Sequence, residues 1–376
     1  MNENTGTLTI NLAAIVANWR TVAAYADSSV TSAVVKADAY GMGVEQVAPA
    51  LYRAGCRHFF FATLSEAVAG RSLVGADAQC YLLGCVPGGS EADVVRHRLV
   101  PVLSSLVAVN RWLAWRAGAG FDASSAPAAV KFDTGMTRSG LAVAELQHLL
   151  GDAERWAELS PVLLMSHLAV ADEASNPQNR RQRDAFFALG TLAKRLQPDL
   201  LLSLANSCGT YLGRDYHADL VRPGAALYGF NPVVGGESPM LPVVRLSLPV
   251  MSLRALTQPS QVGYGAEYTA LPGQVLAVVA GGYADGLHRI LGREGYGYCL
   301  GVKVPVVGRI SMDSTVFDVT AVTDLHEIDG RQTLNIDVLG EGDLSVDALT
   351  RRNQALGYEV LTCVRSGRYR RIYQGE

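Results

Sequence analysis

The stretch "VLLMSHLAVADEASNPQNRRQRDAFFALGTLAKRLQPDLLLSLANS", residues 162–207, decides the fold. "VLLMS" at 162 and "LLSLA" at 201 are apolar runs of strand length. Between them, "RQRDAFFALGTLAKRL" repeats apolar residues at helical spacing. Strand, helix and strand in succession imply two parallel strands joined by a right-handed crossover. The same rhythm fills the first 230 residues, with further runs "AVV" at 33, "FFFA" at 59, "CYLLG" at 80, "LVPVL" at 99, "AAVKF" at 128 and "DLVRP" at 219. Eight such units predict an α/β fold that begins with an N-terminal (β/α)8 barrel rather than an open sheet.

After about residue 235 helical periodicity fades. Gly, Pro and β-branched residues separate runs such as "VVRLSLPVMSLRAL", "VLAVVAG", "VKVPVVG", "STVFDVT" and "LNIDVLG", which predict a mainly-β C-terminal domain. The N-terminal "TLTINLAAIVANW" reads as a strand followed by a helix capped by Asn11. That strand precedes the first barrel strand by a whole helix, so it is expected in the C-terminal sheet. The expected division is therefore a barrel over residues 11–235 and a β-rich domain over 236–376 that also takes the strand within 1–10.

Composition narrows the function. Hydrophobic residues make up 49% of the 376 and charged residues 18%, the balance of a globular protein with a sizeable core. A formal net charge of -3 gives no basic field for nucleic acid or an acidic membrane. No apolar run reaches transmembrane length, and "MNENTGTLTI" lacks the basic-then-apolar order of a secretory signal, so a cytoplasmic protein is expected. The six cysteines form no C-x-x-C pair and do not cluster with the seven histidines. They read as reduced, buried thiols, and no metal site is expected.

A barrel places its chemistry just after each strand, on the C-terminal face. Lys36, in "VVKADAYGMG", is one of only four lysines. Partial desolvation there lowers an amine's pKa, as covalent Schiff-base chemistry requires; an ordinary strand-end lysine that snorkels to solvent fits the same string. Ser207 and Gly224 follow the last two strands and suit a bound phosphate, or a helix cap and a turn. Arg138, in "VKFDTGMTRSG", suits a substrate carboxylate or the surface. Lys131 lies inside a strand, where it needs a partner or a lost charge. His167 ends another strand. Tyr264 and Tyr283 lie beside glycines in the second domain, where tyrosines are usually turn or interface residues.

Taken together, "VVKADAYGMG", "KFDTGMTRSG", "SHLAVADE", "LANSCG", "VRPGAALYG", "VGYGAEYTA", "GGYADG", "GRISMDSTVFDV", "GYEVLT" and "RYRRIY" occur in the order of the alanine racemase family, which the chain resembles over nearly its full length. The resemblance implies an enzyme dependent on pyridoxal 5'-phosphate (PLP) that interconverts L-alanine and D-alanine and supplies D-alanine for peptidoglycan. It implies that Lys36 holds PLP covalently and that Tyr40, Ser207, Tyr358, Gly224 and Ala225 hold its phosphate. Arg222 faces the pyridine nitrogen, to which a guanidinium donates without readily giving up a proton. Two bases are implied, Lys36 for the D-isomer and Tyr264 for the L-isomer, with His167 and Arg222 in support. A free tyrosine, with a pKa of about 10, needs such help near neutrality. Arg138 and Met312 contact substrate, and a carbamylated Lys131 orients Arg138. Asp172, Tyr283, Arg289, Arg309 and Leu356 line the way in. The family's head-to-tail homodimer implies that Tyr264 and Met312 serve the other subunit's site. The chain departs from the pattern at Met42 and Ser203, where many relatives have histidine, and at Ser311, where cysteine is common. A racemase of broader or serine preference, and a non-catalytic PLP-binding protein, are the competing readings. The second leaves Tyr264 and the whole second domain without a purpose.

Overall fold

Alternation of buried and part-exposed residues in "TLTIN" makes a strand, β1 (Thr7–Asn11), whose Leu8 and Ile10 are fully buried. Asn11 ends it, its Oδ1 accepting a 2.9 Å bond from Ala14 N at the start of the helix Leu12–Ala26. The computed structural model describes residues 6–233, 235–287, 291, 294–323, 334–353, 357–364 and 367–375. These form two compact units, one of residues 15–39 and 43–241, the other of the described residues within 1–14, 40–42 and 242–376.

The first unit is a barrel. Its strands are β2 (Val30–Thr31), β3 (Ala33–Val34), β4 (His58–Phe61), β5 (Gln79–Leu82), β6 (Leu99–Leu103), β7 (Ala129–Lys131), β8 (Leu163–Met165), β9 (Leu201–Ser203) and β10 (Leu220–Val221). Phe59, Phe60 and Phe61, and every residue of β6 and β8, are buried, as in parallel sheets covered on both faces. β3 to β9 pair in sequence order, all parallel. β10 pairs in parallel with β2. On the β9 side, the Asp219 and Arg222 N–H groups reach the carbonyls of Leu202 and Ala205, each at 3.0 Å. On the other, Ser32 N and Val34 N donate to Val221 O at 3.1 Å and Pro223 O at 3.0 Å. β2 and β3 are thus one strand interrupted at Ser32, and the ring closes. "DLVRP" contributes only two ladder residues because Pro223 has no N–H with which to continue.

The second unit is mainly β. It holds β1, β11 (Val244–Ala255), β12 (Ser260–Val262), β13 (Tyr268–Ala270), β14 (Val275–Ala280), β15 (Tyr296–Cys299), β16 (Val302–Pro305), β17 (Ser314–Asp318), β18 (Asn335–Leu339) and β19 (Arg370–Gln374). The main sheet runs β16-β15-β18-β11-β1-β19, with β14 and β17 branching from β11. β1 sits inside it, antiparallel to β11 and parallel to β19, so the first described strand is an interior strand of the C-terminal sheet. All six cysteines are free; Cys56, Cys80 and Cys299 are buried, but Cys85 is exposed because it lies beyond the end of β5. Among the described residues no helix is long and apolar enough to cross a membrane.

Candidate active site

The chain leaves β3 through Lys36 and enters a turn of an unexpected hand. Ala37 (φ 53°, ψ 46°), Asp38 (φ 57°, ψ 51°), Ala39 (φ 53°, ψ 52°) and Tyr40 (φ 56°) are all left-handed. Each such residue with a side chain costs about 1–2 kcal/mol, and runs of them are rare. The turn is tied in place at several points. Ala39 N donates to Val35 O at 2.9 Å, and Gly43 N to Asp38 O at 2.9 Å. Val44 N donates to the Asp38 carboxylate at 2.8 Å. The Glu66 carboxylate receives Ala37 N on one oxygen and Ala62 N on the other, each at 3.1 Å. Strain held by several bonds around a reactive group is a mark of a functional site.

Positive charge collects on the barrel. Burial lowers the pKa of the Lys36 ammonium; the Arg138 charge lowers it further and the Glu66 charge opposes. Lys131, buried at the end of β7, donates to Ser139 Oγ at 2.6 Å. Burial first, then the charges of Arg138 and Arg222, bring it down to about 8. Arg138 itself is exposed, on a loop wound around Asp133, whose carboxylate accepts from the N–H groups of Gly135 (2.7 Å), Met136 (2.8 Å) and Arg138 (3.0 Å). Asp172 is exposed on the loop after β8.

Arg222, just past β10, is buried and densely bonded. Its Nη2 donates to Ser166 O at 2.5 Å and Leu204 O at 3.2 Å, and its Nη1 donates to Ser203 Oγ. Ser203 in turn donates to Leu220 O at 2.5 Å, so the serine that departs from the family pattern accepts from the guanidinium and passes the bond on to the backbone. Burial lowers Arg222 to about 9, which leaves it charged at neutral pH. Nη2 also lies 3.5 Å from His167 Nδ1. Burial and four positive neighbours, Arg222 foremost, hold His167 well below the usual imidazole range and therefore neutral. A cation facing Nδ1 leaves the ring proton on Nε2. Ser207 Oγ accepts from Gly224 N at 3.0 Å and Ala226 N at 3.1 Å, with Ala225 between them. Its own proton is left to donate.

The second unit carries the remaining candidates. Tyr40 and Tyr358 meet edge-on with ring centroids 6.4 Å apart, and burial together with Tyr358 pushes the Tyr40 hydroxyl pKa up. Tyr264 is 73% exposed, on a one-turn 3-10 helix (Tyr264–Ala266). Its neighbours Gly263 (φ 69°) and Gly265 (φ 74°) take left-handed angles, and a Cβ on Gly265 would meet the Arg309 guanidinium at 3.2 Å. Arg309 is ion-paired with Glu267. Met312 is 58% exposed, and Tyr283 lies on a turn whose N–H bonds Ser311 O at 2.9 Å. Arg289 and Leu356 lie outside the described residues. Met42 is fully buried.

Sequence reading missed Glu66 and Gln182. Glu66 follows Thr63 at capping-box spacing, and Thr63 Oγ1 does accept from Glu66 N at 3.3 Å, but the carboxylate reaches across to Ala37 instead of closing the box. That spacing was a readable signal. Gln182 hides in the polar string "NRRQRD", yet it falls on the buried stripe of its helix with Asn179, Phe186, Leu189 and Ala193.

The chain as a whole has known relatives. The pattern of the alanine racemase N-terminal domain matches residues 10–232 and that of the C-terminal domain residues 243–373. An alanine racemase of Rhodospirillum rubrum is 44% identical over 99% of this chain and 96% of its own length. A catabolic alanine racemase of Agrobacterium fabrum is 39% identical over 98% of this chain and 92% of its own. Among solved structures, alanine racemase from Bartonella henselae with covalently bound pyridoxal phosphate superposes with a TM-score of 0.89 at 34% identity, covering 98% of this chain and 99% of that one. The chain belongs to the alanine racemase family.

Proposed function

We propose that this protein is a PLP-dependent alanine racemase that interconverts L- and D-alanine with two bases. The observation that supports this most is the set of groups at the ends of β3, β7, β8 and β10: a lysine with a lowered pKa, a second lysine near 8, a neutral histidine and a buried arginine. Such an excess of positive charge calls for anionic ligands. The donor set fits PLP. Ser207 has a hydroxyl proton to give and Arg222 Nε–H has no partner among the described residues, which suits a phosphate and a pyridine nitrogen respectively. When bound, PLP supplies an electron sink that makes the amino acid's α-proton acidic.

Lys36 anchors the cofactor and exchanges a proton on the D-face. Ser207, Gly224 and Ala225 hold the phosphate, and the family pattern gives Tyr40 and Tyr358 the same task. Arg222 donates to the ring nitrogen and remains charged. Arg138 receives the substrate carboxylate through its fork. Lys131, whose lowered pKa leaves a fraction of free amine, takes up carbon dioxide with loss of a proton to become a carbamate that steadies Arg138. Tyr264 is the L-face base, and His167, with Nε2–H to offer and Arg222 behind it, stabilises the tyrosinate. Tyr264 and Met312 serve the barrel of a second copy in a homodimer; both are exposed, as groups awaiting a partner surface are. Asp172, Tyr283 and Arg309, with Arg289 and Leu356 by the family pattern, guide substrate in.

The physiological direction proposed is supply of D-alanine for peptidoglycan in the cytoplasm. The catabolic name of the Agrobacterium relative favours a second reading, degradation of alanine. Deleting the gene separates them: a D-alanine requirement supports supply, and failure to grow on alanine alone supports degradation. For the chemistry, purified protein is incubated with L-alanine in deuterated water, and α-proton exchange and D-isomer formation are followed together. Both are expected, with serine turned over more slowly. A PLP-bound sample that shows neither would make the protein a carrier.

A further inference from the structure

The backbone on both sides of His167 is held by hydrogen bonds. Before it, Ser166 O accepts from Arg222 Nη2 at 2.5 Å, and Ser166 N donates to Ser203 O at 3.1 Å. After it, both peptide groups go to one side chain: Gln182 Nε2 donates to His167 O at 2.9 Å, and Gln182 Oε1 accepts from Ala169 N at 2.9 Å. Since Ala169 N–H can only donate, the orientation of the amide is settled. Its second N–H donates to Thr134 Oγ1 at 3.1 Å, and Thr134 Oγ1 pairs with Ser166 Oγ at 2.9 Å. Gln182 is fully buried on the helix Pro177–Leu196, so water cannot replace any of these bonds. One turn earlier, Gln178 donates to Gly135 O at 2.9 Å, extending the same helix's hold to the loop that carries Arg138.

We infer that Gln182 is a positioning residue for the reaction. Its amide fixes the backbone after β8 so that His167 faces Arg222 on one side and the L-face base on the other, and it locks that loop to the loop after β7 through Thr134. This rests on the two-base reading. An amide is the one side chain of this length that can supply two donors to His167 O and Thr134 and an acceptor to Ala169 N at once. Methionine fills the space and makes none of these bonds. Glutamate keeps the acceptor and turns an oxygen toward the His167 carbonyl.

The experiment compares wild type, Gln182→Met and Gln182→Glu in deuterated water, following racemisation and α-proton exchange from each isomer, with PLP affinity read from an absorbance titration. Misplacing a proton-transfer group by a fraction of an ångström predicts a loss of racemisation of roughly 10- to 100-fold in both variants. Exchange from D-alanine, assigned to Lys36, and PLP affinity should stay within about threefold of wild type, as expected if only the L-face is misaligned. Parallel loss of racemisation, D-face exchange and PLP affinity would mean that the amide merely supports the fold. Full racemisation by Gln182→Glu would show that its donors are not needed, and failure of both variants to fold would count against a positioning role equally. If wild type itself neither racemises nor exchanges, the two-base reading falls and this inference with it; if wild type does both and the variants match it, only the inference falls.

Discussion

The barrel and the β-rich unit present their candidate groups in opposite ways. In the barrel the groups at the strand ends are enclosed and electrically perturbed, with Lys131 and Arg222 buried and His167 held neutral by its charged neighbours, while Arg138 and Asp172 on its loops are exposed. In the β-rich unit Tyr264, Met312 and Tyr283 stand on turns with much of their surface uncovered. Enclosed charges tune chemistry because low dielectric magnifies each interaction. Exposed aromatic and thioether groups gain little from their own unit and are suited to another surface. On the proposed reading the barrel is the seat of cofactor chemistry and the β-rich unit donates groups that complete a partner's site.

The largest expected effect tests the barrel half of this contrast. On the proposed reading Lys36→Ala removes anchor and base together, so it should abolish covalent PLP capture and lower racemisation by at least about 10⁴-fold. Borohydride reduction of wild type should label the peptide containing Lys36. Label on Lys131, Lys194 or Lys303 would move the anchor elsewhere.

Next comes the exposed half. Tyr264→Phe should lower racemisation by roughly 10²- to 10⁴-fold while PLP binding and D-face exchange persist. A mixed dimer of Lys36→Ala and Tyr264→Phe subunits sharpens the point. If each Tyr264 serves the partner barrel, one site carries both lesions and the other neither, so about half of wild-type activity returns. An inactive mixed dimer, its formation verified by mass, would place both groups in one chain and dissolve the contrast.

The two regions also differed in how far the sequence could be read. Barrel strands are continuous apolar runs such as "HFFF" and "LVPVL", and the rhythm of strand and helix needs no long-range information. The strand in "TLTIN" alternates clearly, and its distance from β3 pointed to the other sheet. The left-handed turn after Lys36 left no such trace. Ala, Asp, Ala and Tyr have no shared preference for positive φ, and ties from outside the turn, including one from Glu66, help impose the conformation. Gln182 was hidden for a related reason: all five of its neighbours in "NRRQRD" are charged or polar, and only the stripe Asn179–Gln182–Phe186–Leu189 marks it as inward. Exposure of Tyr264 likewise depends on tertiary packing that local pattern does not carry.

A smaller effect concerns the cost of burying Lys131. Its ordinary pKa is 10.5 and folding lowers it to about 8, first through burial and then through the charges of Arg138, Arg222 and Lys36, with Asp133 opposing. Between these values the unfolded chain holds more protons than the folded one, so stability rises as pH goes from about 8 toward 10.5. Below about 8 both forms are charged and the penalty is fully present. Lys131→Met should therefore stabilise the cofactor-free protein at pH 7 by at most about 3 kcal/mol and flatten its stability curve across that window. Urea titrations in bicarbonate-free buffer measure both. Parallel curves for variant and wild type would show that burial does not disfavour this charge.

The smallest effect tests whether the strained turn belongs to the barrel's tuned machinery or is incidental to it. Glu66 accepts one backbone N–H on each carboxylate oxygen, from Ala37 and Ala62. Glu66→Gln keeps one acceptor and turns an NH2 group toward the other N–H, leaving it unpaired at a cost of about 1–2 kcal/mol. The urea midpoint should fall accordingly, and Glu66→Ala, which removes both acceptors, should fall further. A second consequence is electrostatic and opposite in sense. Glu66 is the neighbour that raises the Lys36 pKa against burial and Arg138. Without its charge the ammonium loses its proton more easily, so the pH midpoint for PLP capture by Lys36 should move down while stability declines. A general loosening of the fold would lower stability with no directed shift in that midpoint. The two readouts moving together in the stated directions would tie the left-handed turn to the reactivity of the lysine it carries; an unchanged urea midpoint and an unchanged capture midpoint in Glu66→Gln would leave the turn a structural accident.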